Sequence, residues 1–275
     1  MRIAMITDME GVAGIQNFED WTEPGGRYYE RGKAFLSMET NAAIEGFFTA
    51  FGAVAPNEGL EITVIDGHGP GGIDPWLLDK RVELSRGWGV YHQFGLDDHF
   101  DAVAWVGQHA KSGALRAHMA HTGSCDVLEH KLGGVSMGEF GECAAIAGFY
   151  GASAIFGSGG RAFTEEARAL TPRIHTVEVK RGVNLTDGAP CDAEQYRRHT
   201  LGATHVHPIK ARELIRNGAE LALRDFTANR EKFPPLRLEP PFICETWYRA
   251  KYKETRRHDS DIVAMYSAPA EREDC

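Results

Sequence analysis

The chain has 275 residues, of which 43% are hydrophobic and 25% charged, with a formal net charge of -9. That length suits one large domain, or a large and a small one, and the composition is that of a folded core rather than of disorder. The acidic balance speaks against a general phosphate-backbone binder, which needs a basic field, so no nucleic-acid partner is expected.

The first element is an apolar strand, Arg2 to Thr7, running into Asp8-Met9-Glu10-Gly11. From Glu30 to Val54, Phe35, Met38, Ala42, Ile44, Phe47 and Phe48 recur near the helical period, and Pro56 and Gly59 end the run. Glu61 to Asp66 is a second strand, followed by the glycine-rich Gly67-His68-Gly69-Pro70-Gly71-Gly72. Val82 to Ser85 is a short strand. Asp101 to Gly107 is an apolar strand suited to burial on both faces, with Gln108-His109 at its exit. Val127 to Lys131 and Val135 to Met137 form a hairpin through Gly133-Gly134. Glu139 to Tyr150 is a small-residue helix, Ser153 to Gly157 a strand, Thr164 to Leu170 a helix opened by a threonine cap, and Ile174 to Lys180 a strand.

This alternation predicts an α/β fold: a mostly parallel open sheet with flanking helices. After residue 181 the pattern changes to a polar loop, an amphipathic helix over Pro208 to Phe226, a proline-rich segment and a strand over Phe242 to Tyr248. We therefore expect an α/β domain over 1–181, to which the strand-end carboxylates and histidines described below would give a metal-binding catalytic role. A smaller C-terminal α+β unit over 182–275 would serve the substrate pocket or oligomer contacts, with Phe233-Pro234-Pro235, Phe242 and Trp247-Tyr248 either meeting another subunit or packing the smaller unit onto the larger.

Five scattered cysteines without a C-x-x-C pair make a poor disulfide framework and a poor zinc-thiolate site. The N-terminus meets acidic residues too early for a signal peptide, and no stretch reaches membrane-span length. A cytoplasmic protein with no membrane partner is expected.

Several strands end in potential ligands: Asp8 and Glu10, then Asp66 and His68, then His109. In open α/β sheets, ligands bind outside the carboxyl ends of strands, so these residues would converge. Asp8 and Glu10 sit at i and i+2 and point to one side of an extended backbone, where they repel unless a cation or a proton lies between them. Carboxylates mixed with imidazoles suit Zn²⁺ or Mn²⁺ better than Mg²⁺ alone. Taken singly, an acidic pair after a strand is usually a solvated turn, and a lone histidine is more often a surface or core residue.

Gly67 to Gly72 also fits G-x-G-x-x-G, but Pro70 and Ile73-Asp74-Pro75 interrupt the helix that a dinucleotide site requires, so no such cofactor is expected.

Four pieces occur in order: Asp8-Met9-Glu10-Gly11, Asp66-Gly67-His68-Gly69, Gly107-Gln108-His109-Ala110-Lys111-Ser112-Gly113 with His121-Thr122, and Gly138-Glu139-Phe140-Gly141. Together they resemble the DppA-type zinc D-aminopeptidases, self-compartmentalising metallopeptidases. The resemblance implies that Asp8, Glu10, His68, His109 and Glu139 are the ligands of two divalent metal ions, zinc or else manganese. It implies His121 as the catalytic residue, a nucleophile or a general base, with His118 as the competitor if the register slips and Glu142 as the competitor of Glu139. It further implies release of N-terminal D-amino acids from short peptides and a homo-oligomer, a decamer of two stacked five-membered rings. Gly67, Leu132-Gly133-Gly134 and Ser158-Gly159-Gly160 depart from the family pattern around the pocket. An amidase acting on a non-peptide or modified substrate, and a metal-binding protein without catalysis, therefore stay open as alternatives.

Overall fold

A computed structural model describes residues 1–55, 59–87 and 95–275; Pro56, expected to end the long helix, lies outside them. The elements run in order as β1 (Arg2–Thr7), α1 (Phe18–Trp21), α2 (Tyr29–Val54), β2 (Glu61–Asp66), β3 (Glu83–Ser85), β4 (Ala102–Gln108), β5 (Val127–Leu132) and β6 (Val135–Ser136). Then come α3 (Glu139–Phe149), β7 (Ser153–Gly160), α4 (Arg161–Leu170), β8 (His175–Gly182), α5 (Ala193–His199), β9 (Ala203–His205), α6 (Pro208–Ala228), β10 (Phe242–Tyr248), β11 (Tyr252–His258), α7 (Ile262–Ser267) and β12 (Glu271–Asp274).

Among the described residues, seven strands form a sheet in the order β3-β2-β1-β4-β7-β8-β9, parallel except for the antiparallel edge pair β8 and β9. This is the expected α/β architecture. Both faces are covered, so the central strands are apolar throughout, and alternation decides which core each side chain enters. In β1, Ile3 and Met5 join the core under α2 and α6, while Ala4 and Ile6 join the core under α3. In β4, Ala104 and Val106 go to the first core, and Val103 and Trp105 to the second.

The long helices follow from the same periodicity. Leu36, Ala43, Ile44, Phe47 and Phe51 of α2 are buried, as are Ala211, Ile215, Ala219, Leu223 and Phe226 of α6. The two helices pack closely at Gly46, where a Cβ would sit 2.3 Å from Arg216 O.

A second, antiparallel sheet has the order β12-β11-β10-β5-β6. The expected hairpin is present as β5 and β6, and β5 pairs with β10 from the C-terminal region. Helix α3 shares one core with β5, β10 and α7 and with the large sheet, and eight of its residues are buried. That double burial explains its run of small and apolar residues from Cys143 to Phe149.

Two expectations need correction, the start of α4 and the place of Phe233 and Phe242. Helix α4 begins at Arg161, capped by Gly160 without a side-chain bond; Thr164 lies inside it, its hydroxyl donating to Arg161 O at 2.8 Å. The C-terminal tail is structured as β11, α7 and β12. Phe233 and Phe242, candidates for subunit contacts, are buried in their own chain. All five cysteines are free thiols. No helix among the described residues is long and apolar enough to cross a membrane.

Candidate metal centre

Parallel register brings the strand ends together. Thr7 of β1 lies beside Asp66 of β2 and Val106 of β4, so the residues that follow each emerge at one edge of the sheet. The chain goes from β1 to β2 on one side and then crosses to β4 on the other, so this edge is the topological switch point where α/β sheets bind ligands.

Two glycines bring the backbones close there. Gly11 N donates to Gly107 O at 2.6 Å, and a Cβ on Gly11 would lie 2.2 Å from Gln108 O. Gly107 has φ +77°, and a Cβ on it would lie 2.0 Å from Asp8 O. Only residues without a Cβ allow the Asp8–Gly11 and Gly107–His109 segments to touch.

Asp66 does not turn into the site. Its carboxylate accepts from Gly72 N at 2.7 Å and Ile73 N at 3.2 Å and pairs with Arg86 at 2.6 Å, folding the loop that carries His68. No helix opens between Gly67 and Gly72; the chain reaches β3 through turns.

His68 Nε2 lies 2.7 Å from Thr22 O, and since a carbonyl only accepts, that nitrogen carries the proton. Nδ1 then faces Asp8 Oδ1 at 3.2 Å and Glu10 Oε2 at 3.1 Å. His109 repeats the plan in mirror form. Its Nδ1 donates to Ala110 O at 2.9 Å, and Nε2 faces Asp8 Oδ2 at 3.1 Å and Glu139 Oε2 at 3.4 Å. The result is two triplets of candidate donors, Asp8-Glu10-His68 and Asp8-His109-Glu139, that share Asp8, one oxygen to each; His121 also lies within ligand-sharing distance of His109 and Glu139. A backbone carbonyl on the far nitrogen is the usual way a ligating histidine is oriented.

The electrostatics fit a cation at each triplet. Glu10 Oε2 and His109 Nε2 are buried without a hydrogen-bond partner. Such orphaned polar atoms are costly unless something else satisfies them. Burial alone would lower both imidazoles, but Glu10 and Asp8 raise His68, and Glu139 and Asp8 raise His109, well above the ordinary 6.5. Burial would raise Asp8, yet the charge of His109 and the approach of both imidazoles hold it well below the usual carboxylate range. The same competition, led by His109, brings Glu139 down to about 2. A site that so favours positive charge beside ionised carboxylates is one that divalent ions can fill, and its oxygen and nitrogen donors suit zinc.

His121 lies beside the second triplet, its Nε2 3.8 Å from Glu139 Oε1 and its Nδ1 donating to Met119 O at 3.0 Å. Burial and the His109 charge lower it from 6.5. Its position is set by His121 N donating to Ala110 O and by Ser112 N donating to Thr122 Oγ1 at 3.1 Å, which tie the two halves of the third motif together. His118 points elsewhere: it is buried, with Nε2 3.2 Å from Gln16 O, and edge-on to His205.

A cavity of about 480 Å³ opens on this centre, lined by Asp8, Glu10, His68, His121 and Glu139 among others. Sequence reasoning missed several of its walls. Phe18 of the short helix α1 meets His121 edge-on, and Tyr266 of α7 reaches in from the second sheet. Neither carries a local motif. Glu142 also lines it, held by His130 Nε2 at 2.8 Å.

A family model described as D-aminopeptidase matches residues 1–257. A D-aminopeptidase of Bacillus subtilis (strain 168) is 27% identical over 242 residues, 86% of this chain and 77% of that protein. Among solved structures, the Zn-dependent D-aminopeptidase DppA from Bacillus subtilis, a self-compartmentalizing protease, has a similar fold: TM-score 0.79 at 22% identity, covering 97% of this chain and 94% of that one.

Proposed function

This chain belongs to the D-aminopeptidase family Peptidase_M55, and on that premise we propose that it is a two-metal hydrolase releasing N-terminal D-amino acids from short peptides. Asp8, Glu10 and His68 hold one ion, and Asp8, His109 and Glu139 the other. Zinc is the favoured metal; the relative of known structure is described as Zn-dependent. The observation that carries this reading is the pair of triplets meeting at Asp8, with each histidine locked by a backbone carbonyl so that its other nitrogen faces two carboxylates.

When bound, such a metal pair supplies a Lewis acid for the scissile carbonyl and water activated near neutral pH. The chain's own part is positioning and proton transfer. His121, kept neutral by its surroundings, offers an Nε2 lone pair on the cavity side, as a general base or nucleophile needs. Gly123 N donates to Glu139 Oε1 at 2.7 Å and steadies that carboxylate between the two rings. Phe18, Pro70 and Ile146 give the cavity apolar wall for a small side chain.

Assembly follows the same reading. The solved relative is described as self-compartmentalizing, and we propose a homo-oligomer, with a decamer of two stacked rings favoured. Trp76, 95% exposed in the single chain, and the half-buried Trp247 and Tyr248 supply aromatic surface for such contacts.

The test is a panel of D- and L-aminoacyl p-nitroanilides and non-peptide amides, run on zinc-loaded protein. Turnover of the D-aminoacyl compounds is expected. Turnover of the non-peptide amides alone would move the assignment to an amidase, and a loaded site that hydrolyses nothing would make it a binding protein.

A further inference from the structure

We infer that Glu142 is the carboxylate that binds the α-ammonium group of the substrate, with His130 and Tyr266 as its positioning residues. The inference rests on the aminopeptidase reading and adds the group that recognises the free amino end.

An enzyme that removes one residue from an amino terminus must hold a cation two bonds from the carbonyl it attacks. In a partly desolvated cavity that takes a carboxylate shielded from water and with an oxygen left free. Five carboxylates line the cavity: Asp8, Glu10, Glu23, Glu139 and Glu142. Three of them face His68 and His109. Glu23 has a side chain 46% exposed and takes Arg197 Nη2 at 2.5 Å. Glu142 remains.

Its place on α3 suits the task. Glu139 and Glu142 are three residues apart, so they lie on one helix face with Cβ atoms roughly 5–6 Å apart. Ile146, four residues further on, also lines the cavity. An aminoacyl group with its carbonyl beside Glu139 therefore has its α-nitrogen within reach of Glu142 and its side chain against an apolar surface.

The partners of Glu142 leave half of it available. His130 Nε2 lies 2.8 Å from Oε1 and the Tyr266 hydroxyl donates to the same oxygen at 3.1 Å. Oε2 has no hydrogen bond among the described residues. His130 is fixed in turn by Thr246 Oγ1, 3.0 Å from its Nδ1. It can donate through Nε2 in its charged form or as the corresponding neutral tautomer, so Oε1 is occupied either way and Oε2 is left for a ligand. The Glu142 side chain is only 16% exposed, which strengthens its attraction for a cation relative to bulk water. His130 comes from β5, Thr246 from β10 and Tyr266 from α7. The second sheet and its helix thus build the amine end of the cavity, while the large sheet carries most of the metal ligands.

The experiment compares metal-loaded wild type with Glu142→Gln on D-alanyl p-nitroanilide and on propionyl p-nitroanilide, the same anilide with the amine replaced by hydrogen. Glutamine keeps an oxygen for His130 and Tyr266 but removes the charge. The wild type should prefer the amine substrate by at least about 100-fold in kcat/KM. Glu142→Gln should lose most of that preference, mainly through KM, at wild-type metal content. Glu142→Asp, charged but one methylene shorter, should retain an intermediate preference, and it stands in if the glutamine variant fails to fold. A preference unchanged in Glu142→Gln, or in Glu142→Asp standing in for it, would overturn the assignment and leave the amine to the metal ions. Wild-type protein that hydrolyses neither anilide, or both equally, would defeat the aminopeptidase reading itself and this assignment with it.

Discussion

The imidazole rings of His109 and His121 stack face to face, with centroids 3.9 Å apart and planes 14° from parallel. Each ties Nδ1 to a backbone carbonyl, of Ala110 and of Met119, and each turns Nε2 toward one carboxylate, Glu139. Positive charge at His109, from a proton or from a coordinated cation, therefore disfavours protonation of His121.

From this stack we predict that His121→Ala keeps its metal but loses turnover by roughly 10²–10⁴-fold, the range for removing an acid–base group. In the wild type, His121 is shifted below 6.5, so it stays unprotonated at that pH and the acid limb of kcat/KM should fall below it. A limb above 6.5 that persists in His121→Ala would assign the titration to another group. Loss of activity in His118→Ala with His121→Ala unaffected would move the catalytic role three residues back along the chain.

Asp8 gives one oxygen to each triplet, whereas His68 belongs to only one. Elemental analysis after gel filtration should find about two divalent ions per wild-type chain. It should find about one in His68→Ala and close to none in Asp8→Ala. Equal metal content in all three would sink the shared-ligand arrangement.

Gly11 and Gly107 carry no ligand, yet they let β1 and β4 approach at the metal edge. Gly11→Ala should destabilise the fold by about 1–3 kcal/mol, as overpacking does, and weaken metal binding as the two strand exits part. Calorimetry with and without zinc would show both effects. A variant with unchanged melting and unchanged affinity would mean that the backbones can separate at no cost to the site.

Glu39 and Lys180 are buried ionisable groups that both hold the Ala13–Gln16 loop, Glu39 accepting from Ala13 N at 3.0 Å and Lys180 donating to Ile15 O at 3.5 Å. Burial raises the Glu39 carboxyl from 4.5 to about 7, against a hydrogen bond from Ala13 N and the charges of Lys180 and Arg212. Burial lowers Lys180 to about 7. The folded chain thus holds a proton on Glu39 that the unfolded chain releases between pH 4.5 and 7, so this group's contribution to stability falls as pH rises through that window. Glu39→Gln should therefore gain on the wild type across it, reaching on the order of 3 kcal/mol near pH 7 in urea unfolding. A difference independent of pH would mean that Glu39 is ionised throughout.

The assembly is tested by sedimentation at micromolar concentration, where a large homo-oligomer is expected and a ten-chain particle favoured. A single species at the 30.3 kDa chain mass would rule out the compartment while leaving the metal centre untouched.

Much of this fold can be read along the chain because burial leaves a local record. The apolar runs of β1, β2 and β4 mark strands covered on both faces, and α2 and α6 carry the helical stripe that faces the sheet. The motif residues at the ends of β1, β2 and β4 fall at one edge because parallel strands place their carboxyl ends together. The resemblance singled out Asp8, Glu10, His68, His109, His121 and Glu139, and the structure brings five of them to one cavity, with His109 buried behind Asp8 and Glu139. Strands β11 and β12 were hidden, since Tyr252–His258 and Glu271–Asp274 are partly or fully exposed and lack apolar alternation.

By itself, then, the sequence determined the parallel α/β layer and the strand ends that bear ligands, because periodicity and strand direction are properties of neighbouring residues. Only the tertiary structure decided that β5 pairs with β10 across more than a hundred residues, that His118 turns away while His121 faces the cavity, and that His130 and Tyr266 meet Glu142. Those outcomes depend on contacts between segments far apart in the chain, of His118 with Gln16 and His205, of β5 with β10 and of α3 with α7. Beyond Glu139 and Glu142, α3 is small and apolar on every side, so it carries little periodic signal to show which neighbour each of those side chains will meet.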